Sequence, residues 1–136
     1  MITTNEIIDF VKEFTGLKNI KEDTDIFDNG TFGDDFHELI SKFTEKYSVD
    51  MTNYLWYFHS NEEGQNIGSL FFAPPYKRIK RIPITPLLLT KFANDGKWNI
   101  EYPKHTIPKI RFDLIINGIV VILVFICMIM YILEKC

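Results

Sequence analysis

The run Leu114–Leu133, LIINGIVVILVFICMIMYIL, holds 20 residues without one charged side chain. Wound as a helix at about 1.5 Å per residue it spans about 30 Å, the thickness of a bilayer's hydrocarbon core. A helix that is apolar on every side needs lipid or a protein core around it. A remainder of roughly 100 residues has enough apolar surface for its own core and too little to enclose such a helix as well. The expected organisation is one membrane-spanning helix at 114–133 with a short tail at 134–136. Asn117 and Gly118 are its weak points, and both fall near its start, where an amide reaches the headgroups.

The flanks set an orientation. Lys104, Lys109 and Arg111 precede the helix and Glu134 and Lys135 follow it, so the positive-inside rule puts the amino-terminal part in the cytoplasm. The chain reads as a single-pass protein of the cytoplasmic membrane, anchored by its tail. Its opening, MITTNEIIDF, has no basic start and no long apolar stretch, unlike a secretory signal. Cys127 and Cys136 lie in or after the apolar run, so no disulfide staples the domain; Cys136 offers an acylation site, and no prenylation box is present.

Charge is split along the chain. Residues 1–70 carry 14 acidic side chains against 5 lysines, whereas residues 71–136 carry 10 basic against 4 acidic. Such asymmetry concerns partners and surfaces more than fold. The basic run Lys77, Arg78, Lys80 and Arg81, together with Lys104, Lys109 and Arg111, is expected to face anionic lipid headgroups, where each cation gains about 1 kcal/mol. Nucleic acid is disfavoured: the acidic half repels a long polyanion, and only Tyr76 flanks the run for stacking.

Residues 1–98 read as one helical domain. Thr3 and Glu6 form a capping box, apolar residues follow at Ile7, Val11 and Phe14, and Gly16 stops the helix. An acidic loop follows, in which Ile26 and Phe27 plug the core. A second helix is capped by Asp34 or Asp35 and carries the stripe Phe36, Leu39, Ile40, Phe43 and Tyr47. Residues 52–58 read as a short aromatic helix capped by Asp50 or Thr52, and residues 67–84 allow a short β hairpin. Thr85-Pro86 opens a further helix, the third or fourth, that ends at Gly96, after which Trp98 folds back onto the core. Residues 99–113, with Pro103 and Pro108, read as a basic linker.

Chemistry-bearing residues are sparse. Asp34 and Glu38, four apart, could share a face and hold a divalent ion, which His37 could join only across the helix edge; with no second ligand cluster, acids at the positive end of a helix dipole are the better reading and no metal site is assigned. His59 and His105 are isolated and read as packing or surface groups. No serine stands in a nucleophile elbow and no glycine loop cradles a phosphate, so the chain is not read as an enzyme.

The stretch from Ile26 to Asp50 resembles the loop and second helix of acyl carrier proteins. Laid without gaps on Glu38-Leu39 and Tyr47, Asp28-Asn29-Gly30 falls on their Asp-x-Gly turn and Gly33 falls on the serine that carries phosphopantetheine. Gly33 has no hydroxyl, so no cofactor is expected. A nearer similarity is to the bacterial family catalogued as domain of unknown function 1493, itself described as acyl-carrier-like. It rests on Gly33-Asp34-Asp35, Glu38-Leu39, Val49-Asp50, Ile84-Thr85 with Leu89, and Gly96-Lys97-Trp98, and covers roughly residues 3–98. The resemblance implies an all-α, acyl-carrier-like bundle whose acidic helix, through Asp34, Asp35, Glu38 and Glu45, meets a basic protein partner. Two alternatives are a true acyl carrier or accessory of lipid metabolism, modified on Thr31 or another nearby hydroxyl, and a small membrane-bound immunity or regulatory protein.

Overall fold

A computed structural model describes residues 1–135; Cys136 lies outside the described residues. The chain is helical: α1 (Thr4–Thr15), α2 (Gly33–Tyr47), α3 (Pro86–Asp95) and α4 (Phe112–Lys135), with single 3-10 turns at Trp56–Phe58, Ile67–Leu70 and Pro75–Lys77.

Local signals set the ends of α1 and α3. The Thr3 hydroxyl accepts from the Glu6 amide at 3.3 Å while the Glu6 carboxylate accepts from the Thr3 amide at 2.8 Å, the predicted capping box. Thr85 caps α3 by accepting from the Leu88 amide, and Pro86 occupies the first turn, where its missing N–H costs nothing. Gly16 and Gly96 close the two helices in the left-handed conformation, at φ of 72° and 67°.

α2 starts differently from the prediction. Neither Asp34 nor Asp35 caps it; the cap is Phe32, whose carbonyl accepts from the Phe36 amide, and the helix opens on Gly33 at φ 44°. Both aspartates therefore sit inside the first turn, where their charge meets the positive end of the helix dipole.

The core gathers Ile7, Phe10 and Val11 of α1, Phe36, Leu39, Ile40 and Phe43 of α2, and Leu89, Phe92 and Ala93 of α3. Ile26 and Phe27 plug it from the acidic loop, and Trp98 folds back to stack against Phe92 at 4.4 Å between ring centroids. A parallel bridge holds that return: Asp50 N–H donates to Gly96 and Trp98 N–H donates to Asp50.

Two further expectations change. Residues 52–58 form only the 3-10 turn Trp56–Phe58, because the Asp50 carboxylate accepts from both the amide and the hydroxyl of Thr52, a local turn that competes with helix. No strand occurs among the described residues, so the hairpin near 67–84 does not form. Pro74, Pro75 and Pro83 deny it donors, and the remaining amides bond elsewhere, Ile82 to the Phe58 carbonyl and Arg78 to that of Pro75.

The segment read as a linker lies along the domain. Its Tyr102 hydroxyl accepts from the Leu55 amide and the Trp98 indole N–H, at 3.3 and 3.0 Å, which leaves its own proton for His59 Nε2 at 2.8 Å. His59 Nδ1–H then donates to the Ile82 carbonyl, so both ring nitrogens are used with the ring neutral. His59 is fully buried, stacked on Tyr54 and edge-on to Trp98. Burial pushes its pKa down from 6.5 to about 4.

A histidine held neutral in this way stabilises the fold fully above its unfolded pKa of about 6.5, and the contribution drains away as pH falls toward 4. The full shift corresponds to at most roughly 3 kcal/mol. The expected outcome is a urea midpoint, followed by tryptophan fluorescence, that is level above pH 6.5 and drops on acidification to pH 4, with a shallower drop in His59→Gln. An equal drop in both proteins would assign acid lability to other groups.

Candidate interaction site

The exposed face of α2 carries the predicted acids. At about 100° per residue, Asp34, Glu38 and Glu45 fall within about 40° of one another, with Asp35 to one side. All four are exposed. Asp35 and Glu38 line a groove of about 360 Å³ with Phe14, Thr15, Gly30 and Thr31. Asp34 lines a second, of about 310 Å³, with His37, Glu63 and, from the base of α4, Asn117. Glu45 is 4.0 Å from Lys42, a pair too exposed to contribute much. His37 Nε2 lies 3.2 Å from the Ser60 hydroxyl, and its ring meets Trp56 edge-on. Among the described residues no three His, Cys, Asp or Glu side chains converge as metal ligands would.

Gly33 is buried, and a Cβ there would run into the Glu63 side chain. Its positive φ adds a second reason for glycine, since L side chains rarely take that conformation. Thr31, the other candidate hydroxyl, is only 3 % exposed.

Two arginines expected at the lipid surface are engaged inside the domain. Arg81 places its guanidinium 2.6 Å from Asp25 and 2.8 Å from Asp28, and packs over the Phe27 ring. The hydrogen bonds to Asp25 hold its pKa above the ordinary arginine value. It thereby bridges two carboxylates of the acidic loop. Arg111 forks between two carboxylates, bidentate to Glu62 at 2.7 and 2.8 Å and also bonded to Asp113. Hydrogen bonds to Asp113 and then to Glu62 raise its pKa. Lys77, Arg78, Lys80, Lys104 and Lys109 remain exposed, Arg78 with its Nε–H donating to the Ala73 carbonyl.

The Arg111 fork belongs to a clamp that sequence reasoning did not find. Asp113, in the first turn of α4, is 2 % exposed and also accepts from the Asn66 side-chain amide at 2.8 Å. Asn66 caps the 3-10 turn Ile67–Leu70 through the Ser69 amide, and Asn117 accepts from the Ile67 amide at 3.2 Å. Asn117 thus binds the domain, where the sequence suggested headgroups. Gly68 lies flat on the Asp113 carbonyl, and any Cβ there would strike that backbone. The only advance signals were a charged residue at the edge of an apolar run and a glycine in a loop.

Comparison with known protein families, curated proteins and solved structures returns no match.

Removing Arg111 leaves Asp113 buried against Asn66 with its main cation gone, at a cost of roughly 2 kcal/mol. In Arg111→Met, the Ile67 and Ser69 amides should then exchange hydrogen about 30-fold faster, the rate equivalent of that cost, while amides of α1 and α3 keep their protection. Unchanged exchange at Ile67 and Ser69 would mean that Gly68 and Asn117 hold the clamp without the arginine.

Proposed function

We propose that this chain is a membrane-anchored, acyl-carrier-like interaction module without catalytic activity, which docks a basic protein partner through the acidic face of α2. The observation that carries the reading is the crowding of exposed carboxylates on one helix, beside others that are ion-paired. Asp25 and Asp28 are matched by Arg81, and Glu62 and Asp113 by Arg111. Asp34, Asp35, Glu38 and Glu45 face solvent, and among the described residues their one ion-pair partner is Lys42, at the edge of contact with Glu45. Like charges held together cost some stability, and a basic partner relieves that cost.

The anchor is α4, at 24 residues long enough to cross a bilayer and exposed along its apolar length. The positive-inside rule favours a cytoplasmic domain, since Lys104 and Lys109 stay free beside the helix while Glu134 and Lys135 balance one another beyond it. Lys77, Arg78 and Lys80 add charge suited to an anionic leaflet. Against a carrier role stand Gly33, which has no hydroxyl and is covered by Glu63, and Thr31, which is only 3 % exposed.

The docking face is tested by the double variant Glu38→Lys, Glu45→Lys. Neither residue is part of the core, so the variant should keep the wild-type circular dichroism while losing partners captured from solubilised membranes, with wild-type capture weakening as salt rises. A folded double variant that retrieves the same partners at the same salt removes the docking face. For the carrier alternative, incubation with a promiscuous phosphopantetheinyl transferase and labelled coenzyme A should leave the mass unchanged. Label that disappears in Thr31→Ala would restore it.

A further inference from the structure

Beside the base of α4 the domain exposes the apolar side chains it would be expected to hide. Leu70 is 82 % and Phe71 70 % exposed, and Phe72, Ile110 and Phe112 are exposed with them. Phe72 and Phe112 pack ring to ring at 5.4 Å and share a recess with Ile110, and Leu70 and Phe71 directly precede Phe72 in the chain. A soluble surface rarely gathers so much apolar area without a use.

The clamp fixes the level of this patch along α4. Gly68 rests on Asp113 and the Ile67 amide donates to Asn117, so the turn Ile67–Leu70 lies beside the first two turns of the helix. From Asp113 to Asn117 the helix rises about 6 Å. When α4 crosses a bilayer, residues at that level stand at the boundary between headgroups and acyl chains, the depth at which interfacial apolar residues settle. Exposed Arg78 borders the same patch, in a recess of about 150 Å³ lined by Phe72, Pro108, Ile110 and Phe112, and Lys77, Lys80 and Lys109 are exposed nearby in sequence. An apolar centre with a cationic margin suits an anionic leaflet.

We infer that Leu70, Phe71, Phe72, Ile110 and Phe112 form a foot that inserts into the headgroup region of the same leaflet that α4 enters, so that the domain is seated on the membrane in one orientation. The inference rests on α4 spanning the bilayer and names the lipid surface as the occupant because the patch runs directly into that helix.

The test uses the full chain with Cys127→Ser and Cys136→Ser, reconstituted in vesicles of phosphatidylcholine with a minority of phosphatidylglycerol. Single spin labels are placed through Phe71→Cys, Leu70→Cys, Val124→Cys or Ser41→Cys, and accessibility to oxygen is compared with accessibility to a water-soluble nickel complex. The foot predicts an oxygen-to-nickel ratio at 70 and 71 several-fold above that at 41, which lies on the exposed face of α2, and below that at 124 within the span. A ratio at 70 and 71 equal to that at 41, with 124 in lipid, overturns the foot and leaves the membrane helix standing. A label at 124 in water removes the spanning helix and the foot together. Dipolar broadening between labels at 71 on separate copies overturns it in favour of self-association.

Discussion

Arg111 joins two parts of the chain that local sequence keeps apart. Its guanidinium takes both oxygens of Glu62 on one side and the carboxylate of Asp113 on the other, linking a loop of the domain to the first turn of α4. The carboxylates are mostly shielded, so the fork operates where screening is weaker than at an open surface. Asn66 and Asn117 satisfy the remaining polar groups, and Gly68 brings the backbones together with no side chain between them. Asp113, a buried carboxylate, requires donors, and Arg111 and Asn66 supply them. With this junction closed, residues 99–111 have little freedom to act as a hinge, because Tyr102 and His105 are also bonded to the domain.

The same bonds rearrange the electrostatics. Counted along the chain, the amino half is acidic and the carboxyl half basic, an arrangement that suggests two opposed surfaces. In three dimensions Arg81 and Arg111 cross over and each bridges two acids, Asp25 with Asp28 and Glu62 with Asp113, while the acids of α2 stay exposed. Of the basic run, Lys77, Arg78 and Lys80 stay exposed, with Arg78 at the edge of the apolar patch.

Helix ends and helix faces were legible wherever the signal was local. Thr3 with Glu6, Thr85 with Pro86, and the apolar run of α4 each act within a few residues, and each behaves as its chemistry dictates. The start of α2 was misread because capping preference names the aspartates, whereas the backbone uses the conformational freedom of Gly33 one residue earlier. What sequence could not supply was pairing at a distance. Arg111 and Glu62 are 49 residues apart, Arg81 and Asp25 are 56 apart, and His59 meets Tyr102 across 43. A charge run is judged by its neighbours in sequence, and those neighbours gave no hint that one of its members faces inward. The four acids of α2 were legible as a candidate face, since helical periodicity alone puts Asp34, Glu38 and Glu45 on one line.

That line has a direction relative to the anchor. Asp34 shares its groove with Asn117 at the base of α4, while Glu45 lies 11 residues further along α2, about 16 Å away as a helix rises. With the domain seated rather than swinging, the acids would extend from the base of α4 over more than one Debye length, at one fixed position relative to the anchor. A flexible tether would spread the same charges over many orientations. Rigidity at the Arg111 junction is therefore what gives the acidic face a place as well as a sign.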